Sequence, residues 1–255
     1  VAAKRIFTLN YISRVVFLLL TPVFFQLFAI GFIWHSIYWG VITAVMLIWG
    51  AFILLAPLFG RIGCGWFCFM GTVNDLAGAR SLIRRPWNKP KIWVRSLILL
   101  PFFASAFLFY YMNSSKGLTH GFAPDPMFLK PSFNMHYKVV WMADVLSAFI
   151  LGLFLERRWL CRNLCFMGAL CSAGAKHSRL VPVVDKSKCV LCGKCEEECP
   201  VRIPITGYIK DNKGLVTNGE CLMCGRCAAV CRTDAIRFRF VWNRKRFKEQ
   251  VADNA

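Results

Sequence analysis

The run Cys189-Val190-Leu191-Cys192-Gly193-Lys194-Cys195-Glu196-Glu197-Glu198-Cys199-Pro200 returns 32 residues later as Cys221-Leu222-Met223-Cys224-Gly225-Arg226-Cys227-Ala228-Ala229-Val230-Cys231. Both copies space their cysteines by two, two and three residues. Thiolates are soft donors, and three placed so closely can wrap one corner of a cubane iron–sulfur cluster. Zinc competes for cysteine quartets, but its structural sites favour two separated CxxC pairs over a four-cysteine run used twice. The chain has 13 cysteines in 255 residues. In a small secreted protein they would read as disulfides; here the spacings are those of metal ligands.

The region resembles the dicluster bacterial ferredoxin fold, and Cys231-Arg232-Thr233-Asp234-Ala235-Ile236 matches its second half. In such proteins the fourth cysteine of each run ligates the other cluster. The resemblance thus assigns Cys189, Cys192, Cys195 and Cys231 to one [4Fe–4S] cluster. It assigns Cys221, Cys224, Cys227 and Cys199 to the second. Arg232 stands where that family usually has proline, which loosens the turn but removes no ligand.

Outward from this run the composition changes. The chain is 57% apolar and only 18% charged, against about a quarter charged in ordinary soluble domains. Residues 15–59 and 96–155 are nearly free of charge, whereas 176–255 have the mixed composition of a soluble domain. The net charge of +19 could attract phosphate, but most Lys and Arg flank the apolar stretches, as in membrane proteins. A nucleic-acid partner is therefore not expected. The N-terminal residues Val1–Arg14 are short and basic with no cleavable signal expected, and the absent initiator Met points to processing or trimming.

About 20 apolar residues cross a bilayer as a helix, and four stretches qualify: roughly 15–34, 37–59, 95–112 and 138–155. Pro22, Pro57 and Pro101 are positioned to kink them. Lys4, Arg5 and Arg14 precede the first stretch, seven basic residues follow the second, and Arg157, Arg158 and Arg162 follow the fourth. The 113–137 loop has only Lys116 and Lys130. The expectation is an α-helical membrane protein, with four transmembrane helices as two repeated hairpins and a small α+β dicluster ferredoxin-like domain. It is expected to be multi-pass in a bacterial-type inner membrane, N- and C-termini cytoplasmic. The expected domains are 1–175, 176–240, and a basic tail 241–255.

A second repeat lies within the apolar part. Cys64-x3-Cys68-Phe-Met-Gly returns as Cys161-x3-Cys165-Phe-Met-Gly, with Arg61 and Arg158 three residues before each first cysteine. Each pair is expected one turn apart on a single helix face. Three readings of Cys64, Cys68, Cys161 and Cys165 stand open: a further metal or iron–sulfur centre, a redox thiol/disulfide site, or packed structural cysteines. Cys171 has no counterpart and reads as structural.

Two hairpins, each followed by C-x3-C, then a dicluster domain, resemble the membrane ferredoxin-type subunits of the NapH/NosR class over roughly residues 14–240. Phe69 and Phe166 replace the proline that usually follows each pair in that class. The resemblance implies a subunit of a respiratory complex exchanging electrons between the quinone pool and a partner oxidoreductase. Its implied partners are membrane lipid, quinone/quinol and other redox subunits. Quinol oxidation releases protons, so a base near the membrane interface is expected, and His35, His120, His136 and Asp144 are the candidates. Two histidines across spans could also ligate a haem, a lesser reading because no c-type attachment motif occurs. Glu156 reads as an interfacial ion pair with the neighbouring arginines. Two other readings remain: a metalloenzyme-maturation or copper/thiol redox factor, and a membrane anchor whose clusters are structural.

Overall fold

The computed structural model describes residues 2–28, 33, 41–79, 81, 97, 100–101, 103–105, 107–108, 110–112, 121–122, 135–211, 214–244 and 246–247. The chain divides into two compact units. The first comprises Val1–Val15, Leu54–Phe67 and Leu170–Ala255; the second comprises Val16–Ile53 and Cys68–Ala169.

Within the first unit, the strand Leu180–Val184 pairs antiparallel with Ile236–Phe240, in the register Leu180↔Phe240 to Val184↔Ile236. Val181, Leu215 and Val241 form a buried cluster with Val183 and Phe247 packed on it. The pairing thus ties the residue stretch before the first cysteine run to the stretch after the second. Between the strands the backbone repeats with the sequence. Leu191 and Met223 have φ of 55° and 53°, Gly193 and Gly225 have 74° and 76°, and Arg202 and Asp234 both have 49°. Each pair is offset by 32 residues. Gly193 and Gly225 open the equivalent short helices Lys194–Glu197 and Arg226–Ala229. Holding Leu191 and Met223 left-handed costs about 1–2 kcal/mol each. The conformation turns the chain back between the first two cysteines of each run.

In the second unit, the helix Phe69–Gly78 packs on the helix Met135–Phe154. Asn74 Nδ2 donates to the Ala148 carbonyl at 2.8 Å, and Ser81 Oγ to the Leu155 carbonyl at 2.8 Å. Ala148 is fully buried. At Gly152 a Cβ would meet the Asn74 carbonyl at 2.6 Å, so the backbones touch where no side chain intervenes. Met142, Leu146, Phe149 and Ile150 lie on the exposed side of the longer helix.

The four expected transmembrane helices are overturned: among the described residues, no helix is long and apolar enough to cross a membrane. Ala44–Phe59 has 16 residues and contains Pro57, rising about 24 Å against a hydrocarbon core of about 30 Å. Met135–Phe154 has 20 residues but opens through His136 and Lys138 and carries Asp144 midway. Ala2–Phe28 includes Lys4, Arg5 and Arg14. Much of the expected 95–112 span lies outside the described residues. The structure is instead mostly helical, with the small two-stranded antiparallel sheet in the cysteine-rich segment.

Candidate iron–sulfur centre

Four thiols from both runs, Cys199, Cys221, Cys224 and Cys227, line one small cavity in the first unit, whose other walls include Pro182, Ile203, Val216, Leu222 and Phe238. The walls are almost wholly apolar. Burial, and then the charge of neighbouring thiols, pushes Cys227 well up and Cys221 up to about 12. Burial raises Cys199 to about 11. Four thiolates cannot share so dry a cavity without cations to balance them. Iron supplies that charge while thiolates displace protons on binding. The Ile203 amide points at Cys199 Sγ across 3.5 Å, offering a hydrogen bond to a ligating sulfur.

The other predicted set sits nearer solvent. Cys192 is exposed, and Cys189, Cys195 and Cys231 are partly buried. Burial first, then Glu196 and the charges of Cys189 and Cys192, raises Cys195 to about 11, so these three thiols are within electrostatic reach of one another. Cys231 Sγ accepts from the Ala235 amide at 3.3 Å, the counterpart of Ile203 to Cys199 four residues along. Burial raises this thiol, but hydrogen bonds from Thr233 and Ala235 outweigh it and leave it lowered. Cys195 also acts electrostatically on Cys227, so the two sets are neighbours.

Around the second set the chain supplies residues that sequence reading passed over. Arg61 is fully buried, and its Nη1 meets Glu220 Oε2 at 2.5 Å, while Ser172 Oγ donates to Glu220 Oε1 at 2.9 Å. Glu220 immediately precedes Cys221. Trp66 Nε1 donates to the Met223 carbonyl at 3.1 Å, and a Cβ on Gly65 would stand 2.0 Å from the Leu222 carbonyl. The only sequence signal for this packing was the position of Arg61 before Cys64.

The C-x3-C repeat is visible as matched helices. Ile62–Trp66 and Phe69–Gly78 correspond, 97 residues on, to Trp159–Asn163 and Phe166–Ala175. The single-face expectation is corrected. Cys64 lies within a short helix, whereas Cys68, with φ −72° and ψ 111°, is the extended residue capping the next. The break falls between the cysteines because Cys68 leaves helical conformation, and Cys165 likewise precedes Phe166. In the second unit Arg158 is fully buried, with Nη1 4.0 Å from Cys161 Sγ. Burial lowers its guanidinium, but Cys161, Asp75 and Cys68 outweigh that and hold it raised. Cys165 Sγ accepts from the Gly168 amide at 3.4 Å. Cys64 belongs to the first unit. Cys171 is buried. Among the described residues no three of His, Cys, Asp and Glu stand at single-ion distances; cluster thiolates stand further apart because each binds a different iron.

His35 and His120 lie outside the described residues. His136 is in the helix Met135–Phe154, its side chain outside the description, and Asp144 is half-buried two turns further along. Glu156 pairs with Arg162 at 3.5 Å, both buried.

Two cysteine runs folded around apolar cavity walls and adjacent to one another define an iron–sulfur electron-transfer protein. Residues 181–232 match the family model described as 4Fe-4S dicluster domain, and residues 41–90 match the one described as 4Fe-4S binding domain. The chain is 30% identical over 217 residues to the ferredoxin-type protein NapH of Haemophilus influenzae, covering 76% of this chain and 68% of that one. It is 30% identical over 181 residues to the methylamine utilization ferredoxin-type protein MauN of Methylobacillus flagellatus, 71% of this chain and 62% of that one. YccM of Escherichia coli (strain K12), named as a candidate electron transport protein, is 28% identical over 66% of this chain, which spans 49% of its length. No solved structure matches. The chain belongs to the NapH-type ferredoxin family and carries two [4Fe–4S] clusters.

Proposed function

We propose that this protein moves single electrons between the quinone pool and a partner redox subunit at a membrane surface. In this reading Cys189, Cys192, Cys195 and Cys231 hold one cluster, and Cys221, Cys224, Cys227 and Cys199 the other. The observation that carries it is the cavity joining Cys199 of the first run to three cysteines of the second. A bound [4Fe–4S] cluster supplies reversible one-electron chemistry. The chain's own residues keep water from the sulfurs of the second set, offer amides to Cys199 and Cys231, and anchor the second run through Arg61 and Glu220. We take residues 176–240 as the cofactor-bearing segment, 1–175 as the helical part with the C-x3-C repeats, and 241–255 as a basic tail. Exposed apolar residues on Met135–Phe154 favour membrane contact, and His35, His120, His136 and Asp144 remain the candidate proton acceptors for quinol.

Iron and sulfide analysis with electron paramagnetic resonance tests the ligand set. Roughly eight irons per chain are expected, and Cys221→Ser should remove one cluster and spare the other. Zinc in place of iron would overturn the assignment. Clusters that no quinol reduces, in the isolated protein or with its partners, would overturn the quinone reading.

A further iron–sulfur centre at Cys64, Cys68, Cys161 and Cys165 is favoured by the 4Fe-4S binding match over 41–90, which includes the first C-x3-C. It predicts roughly twelve irons, falling by about four in Cys64→Ser. A count of eight in both proteins would reject it.

A further inference from the structure

The two cysteine runs have the same backbone but opposite surroundings. Leu191 and Met223 are both held left-handed within 2° of each other, and the glycines after the second cysteines match equally well. Equivalent loops of one shape therefore project from both halves. On the second half, Leu222 and Met223 are 1% and 4% exposed. They lie beneath Gly65 and Trp66 of this same chain, which bring backbone and an indole donor against the loop. On the first half, Val190 and Leu191 are 69% and 53% exposed. Cys192 between that loop and its helix is exposed as well.

We propose that the Val190–Leu191 loop is the docking edge for a separate acidic protein that carries one electron at a time. The covered loop demonstrates that this shape accepts protein, backbone against backbone, beside ligating cysteines. What differs is exposure. Lys186, Lys188 and Lys194 are exposed around the open loop. Of the nearby carboxylates, Glu196 accepts from the Thr206 amide and hydroxyl and Asp185 accepts from Ser187; Asp185 and Glu197 are exposed and Glu198 is half-buried, so the three lysines are interspersed with acidic side chains. A second copy of this chain is disfavoured, because each copy carries a formal +19. An acidic rim on the carrier meets the lysines, while the two apolar side chains seat the contact at its centre.

The inference rests on the assignment of Cys189, Cys192, Cys195 and Cys231 to one cluster. An acidic flavodoxin serves as the probe, with the intact, cluster-loaded protein. Titration calorimetry at low salt should give a Kd at least about tenfold weaker for the double variant Lys188→Glu, Lys194→Glu. Iron content and resonance spectra should be unchanged in that variant. Carbodiimide should join Lys188 or Lys194 to flavodoxin carboxylates. Equal affinities for wild type and variant, or cross-links confined to the 241–255 tail, would overturn the proposal. So would variant-sensitive binding to phosphatidylserine vesicles without any to flavodoxin. The ligand assignment is judged separately: Cys189→Ser protein that retains both clusters would refute it, whatever the docking result.

Discussion

Arg61 places its charged end wholly inside the first unit, opposite Glu220 and next to the residue that begins the second cysteine run. Burying a guanidinium is costly unless a carboxylate faces it, and removing one partner typically costs about 3–5 kcal/mol. Glu220→Gln should therefore lower stability by about 3 kcal/mol, read as an earlier midpoint in denaturant followed by circular dichroism. The variant leaves one acceptor oxygen where Glu220 has two, so Arg61 and Ser172 compete for it. Gly65 is a second decisive position, since any Cβ there would stand 2.0 Å from the Leu222 carbonyl. Backbone cannot yield as a flexible side chain can. Gly65→Ala should push the Leu222–Met223 loop away and reduce cluster occupancy toward four irons per chain, measured by iron analysis after aerobic purification. Asp144, half-buried, has a kinetic test: Asp144→Asn should slow cluster reduction by quinol while leaving reduction by dithionite unchanged.

Among the elements, the helix pair Phe69–Gly78 and Met135–Phe154 depends on small residues at its contact. Ala148 is fully buried and Gly152 sits against the Asn74 carbonyl. Overpacking of such a seam usually costs about 1–3 kcal/mol. Gly152→Val should fall at the upper end of that range, because the nearest neighbour is the Asn74 backbone; loss of helical signal on mild heating would register it. The short helices within the two cysteine runs, Lys194–Glu197 and Arg226–Ala229, pack on each other. They hold their place through the left-handed residues before them and the Leu180–Val184 to Ile236–Phe240 pairing, which closes the segment at both ends.

For the molecule as a whole, two cysteine sets in mutual electrostatic reach imply two cofactors close enough to interact. The fully reduced protein should show a magnetically coupled resonance spectrum, and Cys221→Ser should convert it to that of a single isolated cluster. A spectrum of two independent clusters in the wild type would contradict the adjacency of Cys195 and Cys227. The formal charge of +19 makes association with any acidic partner weaken as salt shortens the screening length, about 10 Å at 0.1 M.

The cysteine chemistry was legible in one dimension because ligand spacing is a local property: three sulfurs within seven residues reach one cluster whatever surrounds them. The 32-residue recurrence likewise announced a duplicated backbone, and φ at Leu191 and Met223 repeats it. Hydrophobic length alone predicts spans, but the helix Ala44–Phe59 has only 16 residues and Met135–Phe154 carries Asp144 midway. The spacing of Cys64 and Cys68 predicts one helix face, yet Cys68 is extended and separates two helices. Sequence by itself therefore determined which atoms can bind iron and that they occur twice. Only the tertiary structure decided that Cys199 shares a cavity with the later run, and that Glu220 answers Arg61 across 159 positions. It alone buried one of two identical loops and left the other open. Those outcomes depend on which distant segments pack together, and no local spacing encodes that.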